Sequence, residues 1–206
     1  MVAKNFFVEY LKGLFPDAQC ELNFNNIFEL LIAVILSAQC TDKRVNLVCE
    51  QLFKQLKTPQ DFVRVNIQEL EQIIKPCGFY HNKAKNIKEC CNSLVNKFNG
   101  EVPQKYEDLL TLAGVGRKTA NVVSSIAFGN NCIAVDTHVL RVANRLGFTK
   151  SLNPNICEKD LTKKFKTNLK DLHHTMVLFG RYYCKAKKPE CVNCKLKENC
   201  NYYKKK

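Results

Sequence analysis

"LAGVGRKTA", residues 112–120, decides how the rest of the chain is read. Gly114 and Gly116 stand two apart, Arg117 and Lys118 follow, and the "NVVSSIAF" beyond them has a helical pattern. Paired cations behind glycines suit the gripping of phosphate. A dinucleotide-binding loop or a P-loop needs a strand ahead of its glycines. Here the preceding "QKYEDLLTL" is helical in pattern, and the glycine spacing is wrong for a P-loop. Helix, tight turn, helix is the reading that survives. Glycine tolerates positive φ and clears side chains from the turn surface. The backbone N–H groups of Gly114, Val115 and Gly116, with the positive end of the following helix, then form an anion site sized for one phosphate. Such a turn positions a polymer without reading its bases. A structural turn with no ligand has the same local sequence, so the decision falls to charge.

The chain has 206 residues, is 46% hydrophobic and carries a formal net charge of +13. An excess of that size serves a polyanionic partner rather than the fold. It is uneven. Residues 181–206 hold nine Lys/Arg against Glu190 and Glu198, while the first 180 residues carry 23 against 17. No apolar run approaches the ~20 residues of a membrane span, and "MVAKNFFVEYLKGLF" lacks the layout of a secretory leader. A cytoplasmic, nucleoid-associated monomer bound to duplex DNA is the expectation. Eight of the twelve cysteines are scattered, mostly within apolar helical patterns, and read as small core residues in a reducing compartment.

The fold class is all-α. "NNIFELLIAVILSAQ" is apolar on nearly every side and reads as a buried central helix. "TDKRVNLVCEQLFKQL" places Val45, Val48, Cys49, Leu52, Phe53 and Leu56 on one face. Asn66 with Glu69 resembles a capping arrangement, and "KPCG" ends the short helix that follows. "KAKNIKECCNSLVNKF" aligns Ala84, Ile87, Cys91, Leu94 and Phe98, with Gly100 as its stop. Pro103 is placed to start the next helix. "CIAVD" is too short for a sheet, and three further helical stretches complete the chain. The only compositional break follows Tyr183.

That terminal segment, "CKAKKPECVNCKLKENC", places Cys184, Cys191, Cys194 and Cys200 at gaps of six, two and five. Four thiols so close in a reducing compartment indicate a metal centre. Zinc and a [4Fe-4S] cluster both use four cysteines. Zinc favours two short C-x-x-C pairs, and only Cys191 and Cys194 make one, so the spacing leans to iron–sulfur and leaves zinc open.

Taken together, "LAGVGRKTANVV", "IAVDTHVLRVANRL" and C-x6-C-x2-C-x5-C resemble bacterial endonuclease III, a DNA glycosylase/AP lyase family of the helix–hairpin–helix superfamily. "ELLIAVILSAQCTD" and "GFYHNKAKNI" match its pattern too, so the likeness runs from about residue 20 to 203. The resemblance implies the helix–hairpin–helix glycosylase fold: a six-helix domain over 22–132, and a second domain of 1–21 plus 133–206 holding a C-terminal [4Fe-4S] cluster loop, with a DNA cleft between them. The substrate it implies is duplex DNA with an oxidised or ring-saturated pyrimidine, or an abasic site.

The resemblance assigns Lys118 as nucleophile and Asp136 as catalytic carboxylate. An amine can attack the anomeric carbon, expel the base and leave an iminium that labilises the neighbouring sugar proton for β-elimination. It must be unprotonated to do so, which a second cation such as Arg117, or desolvation, favours. A carboxylate at Asp136 would stabilise positive charge on the sugar. Read alone, Lys118 is a phosphate contact and Asp136 a helix N-cap. Gln39 and Phe79 fall on the positions that fill the gap left by an everted base, and His138 orients the aspartate or touches phosphate. Against the family pattern, Ala113 replaces the usual proline of the turn, Leu110 stands where an acid is common, and the chain has no tryptophan. Two rivals remain. A monofunctional adenine glycosylase relative would lack Lys118 and carry a further C-terminal domain. A non-catalytic, zinc-stapled DNA-binding module would lack the chemistry altogether.

Overall fold

A computed structural model describes residues 3–205. Among the described residues there are eleven α-helices, a few short 3-10 or π-helical turns and no strand. The backbone groups by contact into two compact units, Cys20–Phe128 and Met1–Gln19 with Gly129–Lys206.

The first unit is built around α2 (Ile27–Leu36), in which every residue from Phe28 to Leu36 is buried. A helix apolar on all faces has to be central, and α2 packs with α3 (Asp42–Gln55), α6 (Tyr80–Lys97) and α8 (Arg117–Phe128). Its start is set by reciprocal capping. Asn26 accepts from the Glu29 amide at 2.9 Å, and the buried Glu29 carboxylate returns to the Asn25 amide at 2.7 Å. Helix α3 presents Val45, Val48, Cys49 and Leu52 to the core, as the 3.6-residue period requires. Helix α4 (Pro59–Arg64) opens on a capping box between Thr58 and Asp61. Helix α5 (Ile67–Ile74) is capped by Asn66, which accepts from the Gln68 amide rather than pairing with Glu69. Pro103 does not begin a helix: α7 (Tyr106–Leu110) starts three residues later.

The second unit holds α1 (Lys4–Leu14), α9 (Thr137–Leu146), α10 (Pro154–Phe165), α11 (Leu169–Leu178) and the terminal loops. Its centre is aromatic. The Phe7 and Phe148 rings stand edge to face at 4.8 Å, and Phe148 meets Phe165 likewise at 5.3 Å. Phe7 thus ties the N-terminal helix to segments far away in sequence. "CIAVD" belongs to no helix or strand, and Ile133, Ala134 and Val135 are buried. Beyond α11 the chain widens into a π-helical turn, Phe179–Tyr183, and runs into the cysteine loop. No helix among the described residues is long and apolar enough to cross a membrane.

Of the eight scattered cysteines, Cys49, Cys77, Cys90, Cys91 and Cys157 are buried. Cys20 and Cys40 are half-buried and pack against the edge of the first unit's core, and Cys132 is half-buried.

Candidate active site and DNA interface

The turn between α7 and α8 is held by local backbone bonds, Leu112 N–H to Leu109 O at 3.2 Å and Val115 N–H to Leu112 O at 3.1 Å. Val115 and Leu112 are buried beneath it and anchor the loop. Gly114 has φ +78°, and a Cβ there would stand 3.0 Å from the Asn86 Cβ and 3.4 Å from Ile35 Cγ2. Glycine is required at 114 on both counts. At Gly116 an added Cβ would meet nothing within 4 Å, so that glycine keeps a surface open rather than relieving a clash. The N–H groups of Gly114 and Gly116 find no backbone acceptor among the described residues, and both residues are exposed. Two donors and the N-terminus of a twelve-residue helix therefore face outward, as an anion site needs.

Arg117 and Lys118 form the first turn of α8, which holds no acidic residue. A cation at a helix N-terminus is disfavoured by roughly 0.3–1 kcal/mol, so stability does not explain this pair. Both are exposed, and the Lys118 amine takes no hydrogen bond or ion pair among the described residues.

Asp136 is the N-cap of α9. Its Oδ1 accepts from the Val139 amide at 2.8 Å, while Oδ2 takes no hydrogen bond among the described residues. The capping role and an available carboxylate oxygen coexist. One turn on, His138 Nδ1 lies 3.2 Å from Arg141 Nη2, and the Gly180 backbone packs against the histidine so tightly that a Cβ at 180 would fall 2.8 Å from the His138 Cβ. His138 is thereby fixed by its own helix and the π-helical turn.

Gln39 and Phe79 both lie in the first unit, both are exposed, and both have positive φ, +53° and +48°. A left-handed backbone costs a non-glycine residue about 1–2 kcal/mol. Phe79 is 64% exposed, which adds a large apolar surface left in water. Strain and exposure at both positions are signs of function, and neither is readable from the sequence, because no residue type announces them. Lys83, a few residues beyond Phe79, is another site the helical pattern misreads: it is 5% exposed and donates to the Leu36 and Cys77 carbonyls.

Cys184, Cys191, Cys194 and Cys200 line one solvent-open pocket, with Leu146, Phe179 and Tyr202 among its apolar walls. Burial pushes the Cys184 and Cys194 thiols up. Against that, Arg145 donates to Cys184 Sγ at 3.3 Å and to the Cys184 and Lys185 carbonyls at 3.1 and 2.8 Å. It also stacks over the Tyr202 ring at 4.1 Å. Arg141 adds a bond to the Cys184 carbonyl at 3.2 Å. These two arginines were not singled out from the sequence. Their i, i+4 spacing along one side of α9 is the signal that could have found them. Among the described residues, no three His, Cys, Asp or Glu side chains converge on a point fit for a single ion.

A glycine turn behind a helical pair, an unpaired lysine, an aspartate on the next helix and a four-cysteine loop invite comparison with known proteins. Residues 32–167 match the family model described as "HhH-GPD superfamily base excision DNA repair protein". The endonuclease III of Bacillus subtilis (strain 168) is 47% identical over 197 residues, covering 95% of this chain and 90% of that protein. A solved non-covalent complex of an endonuclease III with DNA superposes with a TM-score of 0.94 at 49% identity, covering 100% of this chain and 98% of the other. An endonuclease III trapped as a covalent intermediate with DNA gives 0.92 at 49% identity, covering 100% and 99%. With likeness of this extent in sequence and in fold, the chain belongs to the endonuclease III family of HhH-GPD base excision repair proteins.

Proposed function

We propose that the chain is a base excision repair enzyme acting on duplex DNA, a glycosylase that removes oxidised pyrimidines and an AP lyase that cuts the strand at the abasic site. The observation that carries this reading is the exposed, unpaired Lys118 amine beside an open glycine turn. It occurs in a chain 49% identical to an endonuclease III captured covalently on DNA.

The turn at 114–116 takes a backbone phosphate on its N–H groups, with Arg117 supporting it. The Lys118 Nζ lone pair attacks C1′, the N-glycosidic bond breaks, and the base departs with a proton. One ammonium proton passes to O4′ as the C1′–O4′ bond breaks, which opens the sugar ring and leaves a protonated C1′ iminium. A C2′ proton then leaves, the C3′–O bond breaks, and water releases the amine. Asp136 offers the carboxylate oxygen that stabilises positive charge on the sugar and carries the protons. Gln39 and Phe79 fill the stack that the everted nucleotide vacates, offsetting part of its extrusion cost. His138, held by Arg141, sets the orientation of the first turn of α9.

The four cysteines suit a [4Fe-4S] cluster. All donors are soft thiols around one pocket, and their sequence spacing makes one C-x-x-C pair where zinc favours two. When bound, the cluster supplies a covalent clamp on the lysine-rich loop 184–200. Purified protein is then brown, with about four iron atoms per chain; zinc without iron is the contrary result.

Borohydride trapping tests the enzyme assignment. Wild type yields a stable adduct with abasic duplex DNA, and Lys118→Ala yields none while keeping its fold by circular dichroism. Equal trapping by both would remove Lys118 as the nucleophile.

A further inference from the structure

We propose that Lys83 is a positioning residue that locks the Gln39 loop to the Phe79 loop, holding both side chains extended for the vacated stack. This rests on the reading of Gln39 and Phe79 given above. The ammonium donates to Leu36 O and to Cys77 O, each at 2.9 Å. Leu36 is the last residue of α2, three before Gln39, and Cys77 closes the short 3-10 turn two before Phe79. The Lys83 backbone amide donates in turn to the Phe79 carbonyl at 3.0 Å. One residue therefore grips the Phe79 loop at both ends and the Gln39 loop at its root. The Cys40 side chain, one residue beyond Gln39, lies close enough to the Cys77 thiol to perturb it, so the same two loops meet there as well.

Packing does not explain a lysine here. Its amine is buried and no carboxylate pairs with it among the described residues; two neutral carbonyls are its whole compensation. A methionine would fill the same space with no charge to desolvate. What only the amine provides is two donors directed at two different loops. Those loops need holding, because each carries a residue at positive φ that would relax if left free.

The test compares single-turnover strand cleavage on one abasic sequence, as duplex and as single strand, using the full-length protein. Only the duplex has a stack to fill. Lys83→Met lowers the duplex rate about tenfold and leaves the single-strand rate within about twofold, as expected for losing bonds that act only in extrusion. A 2-aminopurine opposite the abasic site reports the same loss as a smaller fluorescence rise on binding. If Lys83→Met does not fold, Lys83→Gln, which keeps one amide donor, carries the comparison. Gln39→Ala and Phe79→Ala run alongside. If those two lower the duplex-to-single-strand ratio and the Lys83 variant does not, Lys83 has no positioning role while the stack-filling reading stands. If none of the three lowers it, the stack-filling reading falls and this inference with it.

Discussion

Gly114 and Gly116 look equivalent as letters and differ as physical objects. Gly114 is fixed by its φ of +78° and by the Asn86 Cβ 3.0 Å from where its own Cβ would sit, whereas Gly116 has open space. Gly114→Ala is therefore expected to cost about 2 kcal/mol, which lowers Tm by roughly 4–8 °C in a domain of this size. Gly116→Ala leaves Tm within about 1–2 °C but sets a methyl group where a phosphate should approach, so it weakens DNA binding without unfolding the chain. Thermal melts and a binding titration on both variants check the pair. Melting losses of equal size would mean that 116 is structural too. Gly114 was legible in the sequence because such a turn needs glycine there, and Lys118 was legible only as a phosphate contact, its role as nucleophile coming from family likeness. Gln39 and Phe79 were reached through family likeness alone. Their backbone strain belongs to the tertiary fold, where α2 and the 75–77 turn run out, and has no spelling in residue types.

Helix α9 gathers at its two ends what the sequence could only place in order. Asp136 caps its start, while Arg145 near its finish holds the Cys184 loop through several carbonyl bonds and a thiol. The observed cap and the proposed catalytic role of Asp136 separate by mutation. Asn caps as well as Asp does, while Ala costs about 1 kcal/mol at such a position. Asp136→Asn should keep wild-type stability and lose most glycosylase activity, since the charge goes and the cap remains. Asp136→Ala should lose activity and also melt earlier. Full activity in Asp136→Asn, measured as base release, would leave the residue as a cap and nothing more. At this scale the sequence was readable wherever periodicity was strong, as in α2, α3 and α6. It failed at Pro103, where a helix-starting residue sits in a loop and α7 waits for Tyr106. It failed again at Lys83, since a lysine beside Ala84 in a polar-looking run gives no hint that two distant carbonyls await its amine.

The molecule's charge is not shared between its two compact units. Gly129–Lys206 with Met1–Gln19 carries 19 basic against 8 acidic residues, a net of +11, and Cys20–Phe128 carries 13 against 11, a net of +2. The unit that offers the glycine turn and Lys118 is thus close to neutral, and most of the attraction for a polyanion resides in the unit with the cysteine loop. Counterion release makes this measurable. Contact with about six phosphates gives a slope near −5 in log K against log salt. Removing a lysine that touches phosphate flattens the slope by about one. Substituting Lys187 and Lys188, both exposed in the cysteine loop, with Gln should flatten it by up to two, whereas Lys54→Gln and Lys57→Gln, exposed on the near-neutral unit, should leave it alone. Trapping on abasic DNA at low salt should survive in the loop variant, because on the proposed assignment phosphate contacts there set affinity and the amine at 118 sets chemistry. Equal flattening by both pairs would mean that phosphate contact is not concentrated in the cysteine loop, and a slope flat in wild type would remove the phosphate-led interface altogether, the turn's contact included.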